Sequence, residues 1–263
     1  MPDSKYLAIF LDPILKSKAY RPKFGDSTKK AGFTLVEFHA LYGADPFYAW
    51  IGLDTDLMYA AHRAAGGMTS LYRQIGIGCE NLFRQILIDV AGYADLELAT
   101  WSYQAKTQSG RIKTLRLDGR LELAEISDTN VVGNLRAWMQ TYCEQIDAAV
   151  PAQGVVFEIR QGYKSKDSKR QNADIDNATV AWSKGYLPVF AIFSAQIDGD
   201  LVLRYRNNRC GILVGNDSDD PTMSLFAFTN QVLGYDLAGF FARNSEPIKA
   251  QVHDVIQTLL STK

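Results

Sequence analysis

Residues 154–196, GVVFEIRQGYKSKDSKRQNADIDNATVAWSKGYLPVFAIFSAQ, decide the fold of this chain. Apart from one glutamate, residues 155–159 are apolar, which is typical of a buried strand. After Gly162 and a dense polar block, apolar residues at steps of three and four predict an amphipathic helix over 168–184. A second strand is predicted over 186–194. A strand, a helix and a strand in this order predict a right-handed crossover with both strands parallel in one sheet.

The flanking sequence extends this unit into an α/β fold with a mixed central β-sheet flanked by helices. Further predicted elements are helices at 78–92, 129–150 and 245–260, antiparallel strands at 96–105 and 113–126, and a hairpin over 201–214. The glycine pair at residues 66 and 67 predicts an interruption of secondary structure. With 263 residues, 47% of them hydrophobic, the chain is long enough for one large core. We expect a single domain over 1–263, with a core at 68–263 and a basic, aromatic arm and embellishment at 1–67.

The composition of the chain limits the cellular compartments and the classes of binding partner that we expect for the protein. The chain has 28 Lys and Arg residues against 29 Asp and Glu residues, so its net charge of -1 excludes a histone-like polycation. It does not exclude a nucleic-acid enzyme, because a carboxylate cluster offsets the lysines around it. The three cysteines are widely spaced, which is typical of reduced thiols in the cytoplasm. The first apolar run, residues 6–11, is too short for an export signal or a membrane span, so we expect a cytoplasmic protein without a membrane partner.

Carboxylates near predicted strand ends, beside a block of lysines and arginines, are the most informative chemical pattern. The sequence has no GxSxG motif, and its three histidines show no zinc-ligand spacing. Asp118 forms a tight corner inside the strand run 113–126, and Glu158 and Arg160 stand at the end of the run 155–159. Carboxylate oxygens, together with phosphate oxygens of a substrate, are the ligands that Mg²⁺ prefers. The pattern therefore indicates Mg²⁺-assisted phosphoryl chemistry.

The order of these residues resembles the PD-(D/E)xK superfamily of restriction endonucleases. That family carries an Asp at the end of one strand, a Glu or Asp and a Lys two apart on the next, and then a helix and a strand. Asp118 matches the first carboxylate, and Glu158 with Arg160 matches the second element, with Arg where Lys is expected. Glu125 is an alternative second carboxylate, but Ser127 then stands at the lysine position. We prefer Glu158 because the required helix and strand follow it directly.

A narrower resemblance concerns the branch of restriction enzymes that read CCGG-like sites. Their motif runs from a Lys through a polar cluster and a GlnAsn pair to a carboxylate on the next helix, with a further acid on an early helix. The matching positions here are Lys164, the cluster 166–170, Gln171, Asn172, Asp176 and the early-helix acid Glu80.

These resemblances imply roles for the matching residues. The Mg²⁺ ligands would be Asp118, Glu158, Asp176 and Glu80. Arg160 or Lys164 would contact the scissile phosphate, and Arg160, which stays protonated, cannot act as a general base. The residues that would enter the major groove of DNA are Lys166, Ser168, Lys169, Arg170, Gln171 and Asn172, since Arg and Lys read guanine and Gln and Asn read adenine. Independently of the resemblance, Lys23, Lys29 and Lys30 lie in the basic, aromatic arm, which is either a phosphate-gripping segment or an ordinary solvated loop.

The sequence thus predicts a Mg²⁺-dependent type II restriction endonuclease, the hydrolase of a restriction–modification system. It would cleave double-stranded DNA at a specific short site. A homodimer is expected, because a palindromic site matches two-fold protein symmetry. Two other functions remain open. One is a non-catalytic DNA-binding protein on a nuclease-like scaffold, suggested by the missing lysine. The other is a metal-dependent phosphoesterase acting on small nucleotides.

Overall fold

The strand–helix–strand unit predicted from the sequence lies at the centre of the computed structural model, which describes residues 3–26, 28–106, 112–163 and 168–261. Within these ranges the helices are α1 (Asp3–Lys16), α2 (Leu35–Gly43), α3 (Pro46–Trp50), α4 (Asp56–Ala91), α5 (Thr129–Gln145), α6 (Ser168–Ser183), α7 (Gly199–Asn207), α8 (Leu225–Gln231), α9 (Leu237–Arg243) and α10 (Ser245–Leu260). The strands are β1 (Trp101–Lys106), β2 (Ile112–Leu117), β3 (Gly119–Glu122), β4 (Gly154–Arg160), β5 (Tyr186–Ile192) and β6 (Gly211–Val214).

The central sheet is mixed and has the strand order β3-β4-β5-β6. β3 runs antiparallel to β4, whereas β4, β5 and β6 are parallel to one another. β1 and β2 form a separate antiparallel pair. The predicted α/β class, its mixed central sheet and the parallel crossover through α6 are therefore confirmed.

The core of the sheet is built by β4 and β5. All seven residues of β5 are buried, as expected for a strand paired on both sides and covered on both faces. On one side of the sheet, Phe190 stacks on Tyr205 of α7, with ring centroids 4.3 Å apart. Elsewhere, Val156 of β4 packs with Trp101 of β1 and Tyr186. This rigid centre fixes where β4 ends and the polar block begins.

The predicted hairpin over 201–214 is wrong. Residues 199–207 form the helix α7, and only 211–214 form a strand, which joins β5 in parallel. The side chain of Asp198 accepts a hydrogen bond from the N–H of Asp200 at 2.9 Å and so caps the helix. Leu201 and Tyr205, four residues apart and both buried, lie on one helical face.

The predicted interruption of secondary structure at residues 66 and 67 is also wrong, because both glycines lie inside the 36-residue helix α4. A Cβ atom at Gly67 would come within 2.7 Å of Leu259 Cδ2 on α10. Gly67 therefore permits close packing of two helices rather than a turn. The predicted helix at 78–92 is confirmed as the final part of α4.

The chain divides into two compact units, one made of Met1–Gly78 with Arg243–Lys263 and the other of Cys79–Ala242. We call them the helical unit and the sheet unit. In the helical unit, Phe24 packs against Phe38 and His62, with ring centroids 5.1 and 4.9 Å apart. The division falls at Gly78 rather than at residue 67, and α10 groups with the N-terminal segment. A single domain over the whole chain stays a prediction.

The three cysteines, Cys79, Cys143 and Cys210, are all buried and free. Burial raises the pKa of each thiol, that of Cys143 to about 11 and that of Cys210 to about 12. Across the described ranges, every helix is too short or too polar to cross a lipid bilayer.

Candidate active site

Asp118 lies in the bend that separates β2 from β3 and is held against β4 by two hydrogen bonds. Its backbone N–H donates to the carbonyl oxygen of Phe157 at 2.9 Å. The N–H of Ile159 donates to its carboxylate Oδ2, also at 2.9 Å. Gly119 follows, where a Cβ atom would lie 2.9 Å from Leu87 Cδ1 and 3.3 Å from Phe157 Cβ. Glycine therefore lets the bend pack closely, and the Asp118 carboxylate is fixed beside the last residues of β4.

Glu158 and Arg160 occupy the two half-buried positions of β4, whose other residues are buried. Because side chains alternate along a strand, both lie on one face. Arg160 Nη2 forms an ion pair with Glu158 Oε1. Burial, and then the charge of Asp118, raise the pKa of Glu158 to about 8, while Arg160 opposes the shift. The ion pair therefore reaches full strength only when Glu158 loses its proton near or above neutral pH.

Asp174 of α6 is the second carboxylate that Arg160 contacts. It is only 5% exposed, and its Oδ1 lies 3.4 Å from Arg160 Nη2. The hydroxyls of Tyr163 and Tyr205 donate to Asp174 Oδ2 at 2.9 and 2.8 Å. Arg160 Nε is buried and has no acceptor among the described residues. One guanidinium thus bridges the carboxylates of Glu158 and Asp174, and two tyrosines hold Asp174 in place.

The side chain of Glu80, on α4, interacts electrostatically with the same charged groups. Burial raises the pKa of its carboxyl group, and the negative charge of Asp118 raises it further, while Arg160, Arg84 and Arg170 lower it. Burial likewise raises the pKa of Asp118, against the charges of Arg160 and Arg84. The structure therefore brings Glu80, Asp118, Glu158, Arg160 and Asp174 together, and we call these five residues the charged cluster.

The charged cluster offers hard oxygen donors but no complete metal cage. Within the described parts of the chain, no group of three or more His, Cys, Asp or Glu side chains is arranged to hold a metal ion. Mg²⁺ is commonly held by only one or two carboxylates, with water and substrate phosphate supplying the remaining oxygens. Asp118 and Glu158 are two acids of the kind that requirement names, but the carboxylate of Glu158 is paired with Arg160.

A groove of about 650 Å³ opens beside Asp118. Its lining includes the guanidinium-bearing residues Arg84, Arg116 and Arg120, together with the segment 96–102. Arg84 Nε donates to the backbone oxygen of Asp118 at 2.7 Å, which ties the groove wall to the bend. Asp118 is therefore the member of the charged cluster that lines this groove.

Two acids considered in the sequence lie away from the charged cluster. Asp176 is exposed on α6, because residues two apart on a helix point about 200° apart, and Asp174 takes the buried position instead. Glu125 is exposed in the turn that follows β3. Of the four carboxylates proposed as metal ligands, the structure groups Asp118, Glu158 and Glu80 but not Asp176.

The polar block before and within α6 is described only in part. Lys164 and Lys166 lie outside the described residues. The first turn of α6 exposes Ser168, Lys169 and Arg170. The next two residues, Gln171 and Asn172, accept hydrogen bonds from the guanidinium of Arg204 on α7, the second at 2.5 Å. Gln171 and Asn172 are thus already bonded within the protein.

The lysines of the arm belong to the helical unit. Lys29 Nζ lies 2.5 Å from Glu37 Oε1 and 4.1 Å from the centre of the Phe33 ring, so its charge is largely satisfied within that unit. Lys23 and Lys30 are exposed.

Asp174 and the groove arginines were not found from the sequence. The signal for Asp174 was present, because Asp174, Ala178 and Ala181 follow helical spacing and form the buried stripe of α6. A carboxylate on a buried stripe indicates a partner with positive charge. Arg116 and Arg120 flank Asp118 symmetrically at two-residue steps, which places all three side chains on one face of an extended strand.

Comparisons of the chain with protein-family models, with curated proteins and with solved structures found no match.

Proposed function

We propose that this protein is a Mg²⁺-dependent endonuclease that cleaves double-stranded DNA at a specific short site, with a restriction-endonuclease-like arrangement of strands and acids. The observation that carries the proposal is the position of Asp118. Its carboxylate is bonded to the N–H of Ile159, and so it meets Glu158 and Arg160 at the end of the neighbouring strand. A helix and a parallel strand, α6 and β5, follow directly, in the order that the PD-(D/E)xK pattern requires.

The residues of the charged cluster would divide the work of hydrolysis. Asp118 and Glu158 would hold Mg²⁺, which when bound supplies an activated water and neutralises charge on the phosphoryl group. Arg160 keeps its proton at every relevant pH, so its part is to stabilise negative charge on the phosphate and not to remove a proton. Asp174, with Tyr163 and Tyr205, would position the guanidinium of Arg160.

A specific observation also favours a non-catalytic DNA-binding protein on the same scaffold. Arg160 stands where the family pattern has Lys, and its guanidinium contacts both Glu158 and Asp174. A guanidinium between two carboxylates competes with a divalent cation for Glu158. If this pairing persists when DNA is bound, the protein would bind DNA without cutting it.

The test is to incubate supercoiled plasmids of varied sequence with Mg²⁺ and either the wild-type protein or Asp118→Asn. Discrete fragments from the wild type, and a loss of about 100-fold or more in rate for the variant, are expected, since removing a metal ligand costs several kcal/mol of transition-state stabilisation. Asp217→Asn, the same change at an exposed acid in the turn after β6, should cut normally.

Other outcomes separate the competing functions. Plasmid that is retarded on a gel but intact would support the non-catalytic protein. Intact and unretarded plasmid, together with hydrolysis of bis(p-nitrophenyl) phosphate, would support a phosphoesterase for small substrates. The proposed homodimer requires two protein chains on each duplex. Sedimentation of the protein with an intact duplex that contains its cleavage site tests this.

A further inference from the structure

Arg116, Asp118 and Arg120 share one face of an almost continuous strand. β2 ends at Leu117 and β3 begins at Gly119, with only the bend at Asp118 separating them. Leu117 and Gly119 are buried, whereas Arg116 is exposed and Asp118 and Arg120 are half-buried. Residues two apart on a strand lie about 7 Å apart. On this face, the position of Asp118 is therefore flanked by one arginine position on each side.

The groove gives these arginines a common space. Arg84 enters it from α4, so three guanidinium groups from three elements line one groove beside Asp118. Glu97 and Asp118 are the acids in the lining, and the three arginines outnumber them, although Arg120 Nη1 also forms an ion pair with Glu122 Oε2 at 3.9 Å. With a volume of about 650 Å³, the groove is too large for a single inorganic phosphate. It suits an extended chain of phosphates.

Two of the three guanidinium groups are fixed in place. Arg84 Nε donates to Asp118 O at 2.7 Å, and Arg120 Nε donates to Leu98 O at 2.9 Å. A guanidinium that is already oriented loses less rotamer entropy when it binds an anion, and its planar fork matches the geometry of phosphate oxygens. Arg116 carries no such backbone bond in the described contacts and is exposed, so it is the best position for a substitution that spares the fold.

We propose that this groove binds the sugar–phosphate backbone of one DNA strand, with Arg116 and Arg120 contacting phosphates on either side of the phosphate that faces Asp118. This inference rests on the proposed function and adds a second DNA-contacting surface, formed by β2, β3 and the segment 96–102. Contacts to phosphates carry no base information, so the groove sets the position of the strand and the affinity. Sequence preference must then come from other residues.

The experiment measures the binding of duplex oligonucleotides of unrelated sequence by fluorescence anisotropy across a series of KCl concentrations. Ca²⁺ replaces Mg²⁺, and a gel confirms that the duplexes stay intact. The variants are Arg116→Ala, Arg116→Lys and the control Arg136→Ala, which removes an equally exposed arginine from α5. A melting curve for each variant confirms folding.

Arg116→Ala should weaken binding about tenfold at 0.1 M salt, equally for all sequences, and should reduce the slope of log K against log salt by about 0.9, the value for one lost phosphate contact. Arg116→Lys should keep the wild-type slope, and Arg136→Ala should match the wild type in both readouts.

A wild-type slope and affinity for Arg116→Ala would overturn the inference, as would an equal loss for Arg136→Ala. Cleavage in Mg²⁺ is scored separately. If the wild-type protein cuts plasmid and Arg116→Ala does not change binding, the groove proposal is wrong and the nuclease proposal stands. If Arg116→Ala weakens binding but the wild-type protein cuts no plasmid, only the nuclease proposal is wrong. Wild-type protein that binds no duplex removes both.

Discussion

Arg160 is the residue on which the charged cluster depends. Its Nη2 contacts both Glu158 and Asp174, and its Nε has no acceptor in the described structure. A lysine has one compact ammonium group and would not reproduce the planar fork that spans two carboxylates. The departure from the family pattern at this position therefore has a structural counterpart, because Arg160 is matched to Asp174, an acid that the sequence analysis did not identify.

At the same scale, Glu158 should make the stability of the protein depend on pH. Its pKa is about 8 in the folded state against 4.5 for an ordinary glutamate, so between these values the folded protein binds more protons than the unfolded chain. The free energy of unfolding must then fall as pH rises from about 4.5 to about 8. Glu158→Gln removes this contribution, so we expect the variant to lose less thermal stability than the wild type between pH 5 and pH 8.

Differential scanning calorimetry in the presence of EDTA measures this dependence. Glu125→Gln is the matched control, because Glu125 is exposed in the turn after β3 and should leave the wild-type profile unchanged. Identical slopes of Tm against pH for the wild type and Glu158→Gln would contradict the assignment. Asp118, Asp174, Glu80 and Arg160 act electrostatically on Glu158, and all four side chains are present in both proteins.

Site residues that follow a local sequence pattern could be predicted from the sequence. Site residues whose burial depends on contacts across the fold could not. Asp118, Glu158 and Glu80 were proposed for one site, and the structure groups them. Asp176 was proposed in place of Asp174, because Asp176 matches the helix carboxylate of the CCGG-like motif. The face that a helix buries is set by its neighbours, and a stripe shifted by one residue exchanges the buried and exposed acids.

At the scale of elements, the error over 201–214 shows how a short apolar run can mislead. Residues 201–205, LVLRY, suit a strand by composition, yet they form the helix α7. Runs of this length are ambiguous between strand and helix. The deciding signal is Asp198, whose side chain caps the helix. Long periodic segments such as α5, α6 and α10 were predicted correctly because their pattern repeats over several turns.

Loss of the Asp198 cap should destabilise α7 and the packing of Tyr205 against Phe190. We expect Asp198→Ala to lower the free energy of unfolding by about 1 kcal/mol, the usual cost of removing a capping side chain. Urea denaturation followed by circular dichroism measures this change. Asp217→Ala, the same substitution at an exposed turn position, should change stability by less than about 0.5 kcal/mol. Equal effects of the two substitutions would argue against the cap.

At the scale of the whole molecule, charge is balanced overall but grouped locally. A net charge of -1 gives no general attraction to a polyanion. Under the proposed function, DNA would therefore have to be bound by grouped cations such as Arg84, Arg116 and Arg120 in the groove. Composition alone could not show this, since grouping depends on how α4, β2 and β3 meet in the fold.

The burial of the sheet predicts the order in which parts of the molecule open. β5 is fully buried and paired on both sides, whereas none of the residues of α3 is buried. In native-state hydrogen exchange read by mass spectrometry, amides of 154–160 and 186–192 should exchange most slowly, through global unfolding. The amides of residues 47–50, which follow Pro46, should exchange faster than these, through local opening. Equal protection of these segments would contradict the burial pattern.

The burial of Cys79, Cys143 and Cys210 makes this chain convenient for site-specific dye attachment. Each thiol is enclosed and holds its proton well above neutral pH, so a maleimide reagent has no reactive native target while the protein stays folded. A Ser102→Cys substitution, at an exposed position on the groove lining, would present a single accessible thiol without the removal of any native cysteine. A probe placed there would report in real time whether an oligonucleotide enters that space.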